Sequence, residues 1–307
     1  MSAYLLKRCL LAVFVLWGAV SIVFVLLRMA PGDPAELQLG LGATQEQLAA
    51  FRERAGLAGS IVSQYVSYFA HVVRFQFGNS LISNSDAAGL VLQRFPQTAL
   101  LAVSAMVLAL VLSFPLGVAA ARWQGSRIDR AISFFSISGQ SLPSFWVGIM
   151  LILIFARNLK LLPSAGSGSP LHLILPAVTL AIPLTSVLAR FIRSGLLDVS
   201  REGYIQTARA KGLPEHVVLL HHALRTMLIP VVTVAGLQFG HLLGGTVVVE
   251  TVFAWPGIGR LLVDSIGNRD YAVVQACTLL IAAVFVILNL IVDVTYQYLD
   301  PRVRAGA

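Results

Sequence analysis

Six apolar runs of about 18 residues or more divide the sequence, and each is long enough to cross the roughly 30 Å hydrocarbon core of a bilayer as an α-helix. They fall at residues 9–27, 98–121, 132–156, 171–189, 226–249 and 272–292. Of the 307 residues, 57% are hydrophobic and 12% are charged, with a mean hydropathy of +0.82. A soluble domain carries about a quarter charged residues. A water-soluble core could not hide this much apolar surface, so the excess faces lipid. The sequence therefore predicts an all-α integral membrane protein, a single transmembrane domain over residues 1–307 with six transmembrane helices. The first run follows Lys7 and Arg8 and resembles a signal peptide, but it is too long for a signal core and lacks a small-x-small cleavage site.

The net charge of +8 would suit nucleic acid only if it were clustered on a soluble face. Here the basic residues stand at the ends of apolar runs, where they set orientation. With the N-terminus inside, the inner segments 1–8, 122–131, 190–225 and 293–307 hold 13 Lys and Arg in 69 residues, whereas the outer segments hold 9 in 106. The topology is N-in and C-in, with an outer segment at 28–97 and a cytoplasmic loop at 190–225. Cys9 and Cys277 lie in apolar runs and supply neither a disulfide framework nor a metal-ligand spacing.

The two long connections carry their own signals. In the outer one, Thr44 and Gln47 have the spacing of a capping box and Gly56 suits the helix end. Residues 60–77 place Ile61, Tyr65, Tyr68, Phe69 and Val72 at helical spacing, as in an amphipathic helix anchored at the membrane interface by aromatics. In the cytoplasmic loop, Glu202, Gln206 and Arg209 fall on one helical stripe and Tyr204, Ile205 and Ala208 near another; Gly212 and Pro214 stop the helix. A second short helix is expected over 215–224. Ala208, Ala210 and Gly212 make a small-residue face that another protein can approach closely. By spacing alone, docking of a partner and simple coverage of the membrane surface are about equally supported.

Gln206-Thr207-Ala208-Arg209-Ala210-Lys211-Gly212 resembles the E-A-A-x-x-x-G loop of permease subunits in binding-protein-dependent ABC importers. Tyr204 and Ile205 before it and His222-Ala223-Leu224-Arg225 after it resemble the dipeptide, oligopeptide, glutathione and nickel branch. Pro31-Gly32-Asp33-Pro34, Leu142-Pro143-Ser144-Phe145-Trp146, the run from Glu250 to Arg260, Asn268-Arg269-Asp270-Tyr271 and Asp300-Pro301-Arg302 agree, in order, over essentially the whole chain. Departures are Gln206 in place of Glu, Gly203 in place of Asp, Ala272 in place of Pro, and a Leu228-Ile229-Pro230 that lies farther from Gly212 than usual. The short 157–170 connection is similar to glutathione- or nickel-type members.

The resemblance implies a type I ABC importer permease fold in the bacterial inner membrane, a half-channel for small peptides or a related solute. It implies as partners a second homologous permease subunit, two cytoplasmic ATPase subunits that grip 204–212, and an extracytoplasmic solute-binding protein. The chain has no G-x-x-x-x-G-K-[ST], and none of Lys7, Lys160 and Lys211 follows a glycine. No cofactor is expected on it; ATP and Mg belong on the partners.

Within the membrane, Gly236, Gly240 and Gly244 form a small-residue stripe for helix packing, or for solute passage. Pro115, Pro143, Pro176, Pro183 and Pro230 kink or interrupt helices, and around Gly139–Pro143 freed carbonyls either line a cavity or mark a static bend. Gln140, Gln238, His241, Glu250 and Asn289 are the polar candidates for a translocation path. His216, His221 and His222 lack the carboxylate or thiol company of a metal site. A stand-alone secondary transporter is the main rival. An intramembrane serine protease is remote, because Gly139-Gln140-Ser141-Leu142-Pro143 lacks the second glycine of a nucleophile elbow and the sixth span has no histidine.

Overall fold

The computed structural model describes residues 2–29, 34–40, 42–54, 56 and 58–299. The sequence motifs at Pro31–Asp33 and Asp300–Arg302 lie outside the described residues. The helices are α1 (Ser2–Met29), α2 (Pro34–Leu39), α3 (Gln45–Arg54), α4 (Ile61–Val73), α5 (Ala87–Arg122), α6 (Arg127–Ser141), α7 (Ser144–Leu151), α8 (Leu171–Val199), α9 (Gly203–Ala210), α10 (Glu215–Val217), α11 (Leu224–Val252), α12 (Ile258–Gly267) and α13 (Tyr271–Leu299). Two π-helical segments, Ile152–Asn158 and Val218–Ala223, extend α7 and lead into α11. Among the described residues the only β-type pairing is one antiparallel bridge, Asn79 with Asp86.

Among the described residues, five helices are long and apolar enough to cross a membrane. The third expected span, 132–156, is not one rod: α6 and the α7–π segment meet at a bend of 106° and make the sixth span only as a broken pair. The cause is Pro143. It bars Leu142 from the helical region, and Leu142 is extended at φ −80°, ψ 131°. The other prolines do not interrupt their helices. Pro176 and Pro183 lie inside α8 and Pro230 inside α11, and Pro115 sits within the unbroken α5.

The chain packs as two compact units, Met1–Thr98 with Pro256–Val286, and Ala99–Trp255 with Ile287–Ala307. In the first, the capping box forms as spaced: Thr44 N–H donates to Gln47 Oε1 at 2.9 Å and Gln47 N–H to Thr44 Oγ1 at 3.3 Å, and Gly56 has φ +66°. Helix α4 also forms, with Ser60 Oγ accepting from Ser63 N–H. Its tyrosines differ from the interfacial anchor expected. Tyr65 and Tyr68 close on Phe24 of α1 at ring distances of 5.2 and 5.4 Å, so this side of α4 covers α1 and buries Phe24. Val62, Val66 and Val73 keep the adjoining flank of α4 apolar and exposed. Deeper in this unit, Ser80 Oγ donates to the buried Asp270 carboxylate at 2.5 Å, tying the 78–86 loop to the start of α13. The Ile258 N–H that opens α12 is received by Thr98 Oγ1 at 2.8 Å.

The second unit is organised around α8. Of the apolar window of α8, 56% is buried, against 28% for the segment containing α11. Glycines let its neighbours approach closely. A Cβ on Gly117 of α5 would stand 2.7 Å from Ile192, one on Gly139 of α6 would collide with Ser186, and one on Gly195 of α8 would collide with Met227 of α11. At the inner ends of these helices a cluster of Ala121, Ile192, Leu196, Val218, Ala223, Met227 and Val231 is buried, and it continues directly into α9.

Candidate functional site

Helix α9 has two inward residues. Ile205 is fully buried and Ala208 is 8% exposed, both within the cluster formed by Ile192, Leu196, Val218 and Met227. This corrects the expectation that Ala208 offers itself to a partner. Three residues apart on one helical stripe, the two side chains are consumed by the chain's own core. The outward surface consists of Gly203, Tyr204, Gln206, Thr207, Ala210, Lys211 and Gly212, all exposed.

The loop is held in one shape by its own polar groups. Arg209 is half-buried and makes a two-pronged pair with Glu215, Nη2 to Oε1 at 2.8 Å and Nε to Oε2 at 3.1 Å, while Nη1 donates to the Ser200 carbonyl at 3.1 Å. Gln206 Nε2 donates to that same carbonyl at 3.3 Å. Tyr204 and Thr226 share a hydroxyl–hydroxyl bond of 2.9 Å. At the C-terminal end, Gly212 N–H donates to Arg209 O at 2.9 Å and Leu213 N–H to Ala208 O at 3.3 Å, with Gly212 at φ +77°. These two bonds are those of a Schellman cap, which needs a residue at home in the left-handed region. Pro214, next but one, cannot continue the helix, so the chain turns into α10.

A second anchor lies beneath the loop, and sequence reasoning missed it. The buried Asp129 accepts two bonds from Arg193 of α8, 2.6 Å from Nε and 2.8 Å from Nη2, and a third from Gly125 N–H at 2.9 Å. Its own N–H is received by Ser126 Oγ at 3.3 Å. A signal was present: Ser126 followed three residues later by Asp129 has the spacing of a helix start, and Asp129 is the lone acid in the 122–131 loop. Pairing with Arg193, 64 positions away, was not legible.

The translocation candidates do not converge on one polar surface within the chain. Gln140 is exposed and accepts from Arg190 Nη2 at 2.9 Å. Gln238 and Asn289 are half-buried and His241 is exposed. Glu250 is fully buried, nine residues beyond His241 and therefore on the opposite side of α11. The glycine stripe is likewise divided. A Cβ on Gly236 would collide with Val292 of α13, Gly240 is buried, and Gly244 is exposed with nothing within 4 Å. Leu237, His241, Gly244 and Val248, at i, i+4, i+7 and i+11, make one exposed stripe along α11.

The run 250–255 packs without exposing its aromatics. Phe253 and Trp255 are buried, Trp255 N–H donates to Glu250 O at 2.8 Å, and the Phe253 carbonyl receives Gly166 N–H at 2.9 Å, tying down the short 157–170 connection.

Two family models cover nearly all of the chain. The binding-protein-dependent transport system inner membrane component matches residues 113–305, and the N-terminal model of the same membrane components matches 1–103. The glutathione transport system permease protein GsiC of Salmonella choleraesuis (strain SC-B67) is 43% identical over 304 residues, 99% of each chain. Its counterpart in Escherichia coli (strain K12) is 42% identical over the same length and coverage. Among solved structures, an inward-facing MetNI methionine ABC transporter chain aligns with a TM-score of 0.57 at 20% identity, over 71% of this chain and 96% of that one. A chain of an amino acid ABC transporter solved with histidines gives 0.53 at 15% identity, over 76% and 98%. These two establish the shared fold. With five helices among the described residues long and apolar enough to cross a membrane, a bent helix pair that can make a sixth crossing, and family matches along its length, this chain is a multi-pass inner-membrane protein belonging to the permease components of binding-protein-dependent transport systems.

Proposed function

We propose that the chain is one half of the channel of an ATP-driven importer for glutathione or a peptide-like solute of similar size. The observation that carries this is the 43% identity to glutathione permeases along 99% of both chains. The other half is a second, homologous permease, and the exposed α11 stripe of Leu237, His241, Gly244 and Val248 is the face offered to it and to the passage between them. An extracytoplasmic binding protein delivers the solute. Two cytoplasmic ATPase subunits hold ATP and Mg and dock on the outward ridge of α9, with Tyr204, Gln206, Thr207, Ala210 and Lys211 in contact.

A rigid lever explains how such docking moves the membrane helices. Ile205 and Ala208 are seated in the core against Ile192 and Leu196 of α8, and Arg209–Glu215 keeps α9 from folding away. Displacement of the ridge is therefore passed to α8, and through Arg193–Asp129 to α6. Closure of the ATPases on ATP and their separation after hydrolysis then bias two packings of the permease pair, inward-open and outward-open.

The test is reconstitution of the chain with its partner permease, ATPases and binding protein in sealed vesicles. Labelled glutathione is expected to accumulate only with ATP and with binding protein, and unlabelled dipeptide to compete less well than unlabelled glutathione. Uptake driven by an ion gradient without the ATPases would replace this reading with a secondary transporter. ATP-dependent uptake of dipeptides alone would keep the permease and change its solute.

A further inference from the structure

An open groove of about 490 Å³ lies between α5, α6 and α8, within the range of small-molecule sites. Its walls are Leu108, Leu112 and Leu116 of α5, Ala131 and Phe135 of α6 with their neighbour Ile132, and the 178–185 stretch of α8. Nine of its ten lining residues are apolar. The tenth is Thr185, whose buried hydroxyl has no hydrogen-bond partner. Water needs two to four polar partners to be held, and one hydroxyl does not hold it. The groove therefore suits a long apolar body whose polar group stays outside.

The inner end of the groove has a different chemistry, which follows from helical register. Arg127 precedes Ala131 and Phe135 at i−4 and i−8, on the same stripe of α6. On α5, the stripe of Leu108, Leu112 and Leu116 runs on to Trp123, seven residues farther, which is half exposed. From Leu108 to Leu116 the groove follows about 12 Å of α5, along the inner part of that helix, which ends at Arg122. Arg127 is exposed at the mouth, whereas Arg130, also exposed, leaves α6 on the side turned away from the groove. The acid between them, Asp129, is occupied by Arg193 and cannot neutralise them. A tryptophan and an exposed arginine, both in register with the inner end of an apolar groove, are the arrangement of a lipid headgroup site.

We propose that this groove binds an anionic phospholipid of the cytoplasmic leaflet, one acyl chain lying along Leu108–Leu112–Leu116 and Phe135, and the phosphate held by Arg127 beside Trp123. A bound lipid of this kind braces α5 and α6 against α8, whose inner end packs with α9 in one buried cluster. A transmembrane helix of another subunit would also fill an apolar groove, but it would leave Arg127 without a counter-charge.

The experiment places the full-length chain, with the subunits it is isolated with, in nanodiscs of equal phosphatidylglycerol and phosphatidylcholine. It then counts the lipids carried through detergent exchange by native mass spectrometry. A photoactivatable residue at Leu112 records what occupies the groove. The expected result is a lipid adduct at Leu112 and retention of phosphatidylglycerol over phosphatidylcholine. In the Arg127→Gln protein the adduct should remain while the preference falls roughly fivefold. Equal retention of the two lipids by the wild-type protein, an unchanged preference in the Arg127→Gln variant, a Leu112 adduct with protein, or no adduct would each overturn the assignment.

Discussion

Arg193 grips Asp129 through two hydrogen bonds, 2.6 and 2.8 Å long, so that the loop between the second and third spans is clamped to the helix leading into the cytoplasmic loop. Asp129 is almost fully buried, whereas the Arg193 side chain keeps 28% of its surface in water. Removing one member of such a pair leaves the other charge poorly solvated. Asp129→Ala should therefore cost about 2–3 kcal/mol, at or just below the lower end for a buried pair because of the exposure of Arg193. Arg193→Gln should cost somewhat less. The check is a double-mutant cycle on thermal unfolding in detergent, where the pair should show coupling of about 1 kcal/mol or more. Purely additive effects would mean that the contact is not energetically shared.

The two alanines of α9 separate folding from docking. Ala208 is buried in the chain's own cluster, so Ala208→Asp puts an unpaired carboxylate among Ile192, Leu196 and Met227 at a cost of several kcal/mol. It should lower the yield of folded protein before any partner is involved. Ala210 is exposed, and Ala210→Asp should leave yield and unfolding temperature within about 0.5 kcal/mol of wild type. If the ridge is the docking surface, that same variant should lose solute-stimulated ATP hydrolysis. Full stimulation with Ala210→Asp would remove the ridge from the coupling contact.

Gly212 tests backbone geometry alone. With φ +77° and no atom within 4 Å of the place a Cβ would take, Gly212→Ala meets no clash. Its cost is the left-handed conformation, about 1–2 kcal/mol. Gly212→Asn should cost less, because asparagine tolerates that region. Hydrogen exchange of the amides from Gly203 to Val217 should quicken in the order Gly, Asn, Ala. Equal exchange in all three would show that the Schellman cap does not hold the loop.

On the outer side, Ser80 donates at 2.5 Å to the buried Asp270 and also receives the N–H groups of Ile82 and Ser83. Ser80→Ala removes the donor to a carboxylate and should destabilise the protein by about 1.5–3 kcal/mol. The expected signature is faster proteolysis of the 78–86 loop. Asp270→Asn should be milder, since the amide oxygen can still accept from Ser80. Loss of the same magnitude in both would place the energy in burial of residue 270 and not in the bond.

Much of this protein is legible without coordinates because its signals are local or additive. Hydropathy over about 20 residues decides which segments enter lipid, and the basic residues at their ends decide orientation; neither needs to know what a helix packs against. The Thr44–Gln47 box and the Gly212 stop are equally local, each satisfying backbone groups within a few residues. Periodicity identified the stripe of Ile205 and Ala208 but not its direction. A small apolar face suits a partner and a core alike, and only the approach of Ile192, Leu196 and Val218 turned it inward. Pro143 was not distinguishable in the sequence from Pro176, Pro183 and Pro230, yet the latter three lie inside continuous helices whereas Leu142, before Pro143, is extended. The glycine stripe of α11 was visible as a repeat, yet tertiary packing gave Gly236 a neighbour in Val292 and left Gly244 open. The Asp129–Arg193 clamp was decided wholly in three dimensions. Its two charges are 64 residues apart, and a pairing at that separation leaves no periodic trace, because it arises only when α6 and α8 are already side by side.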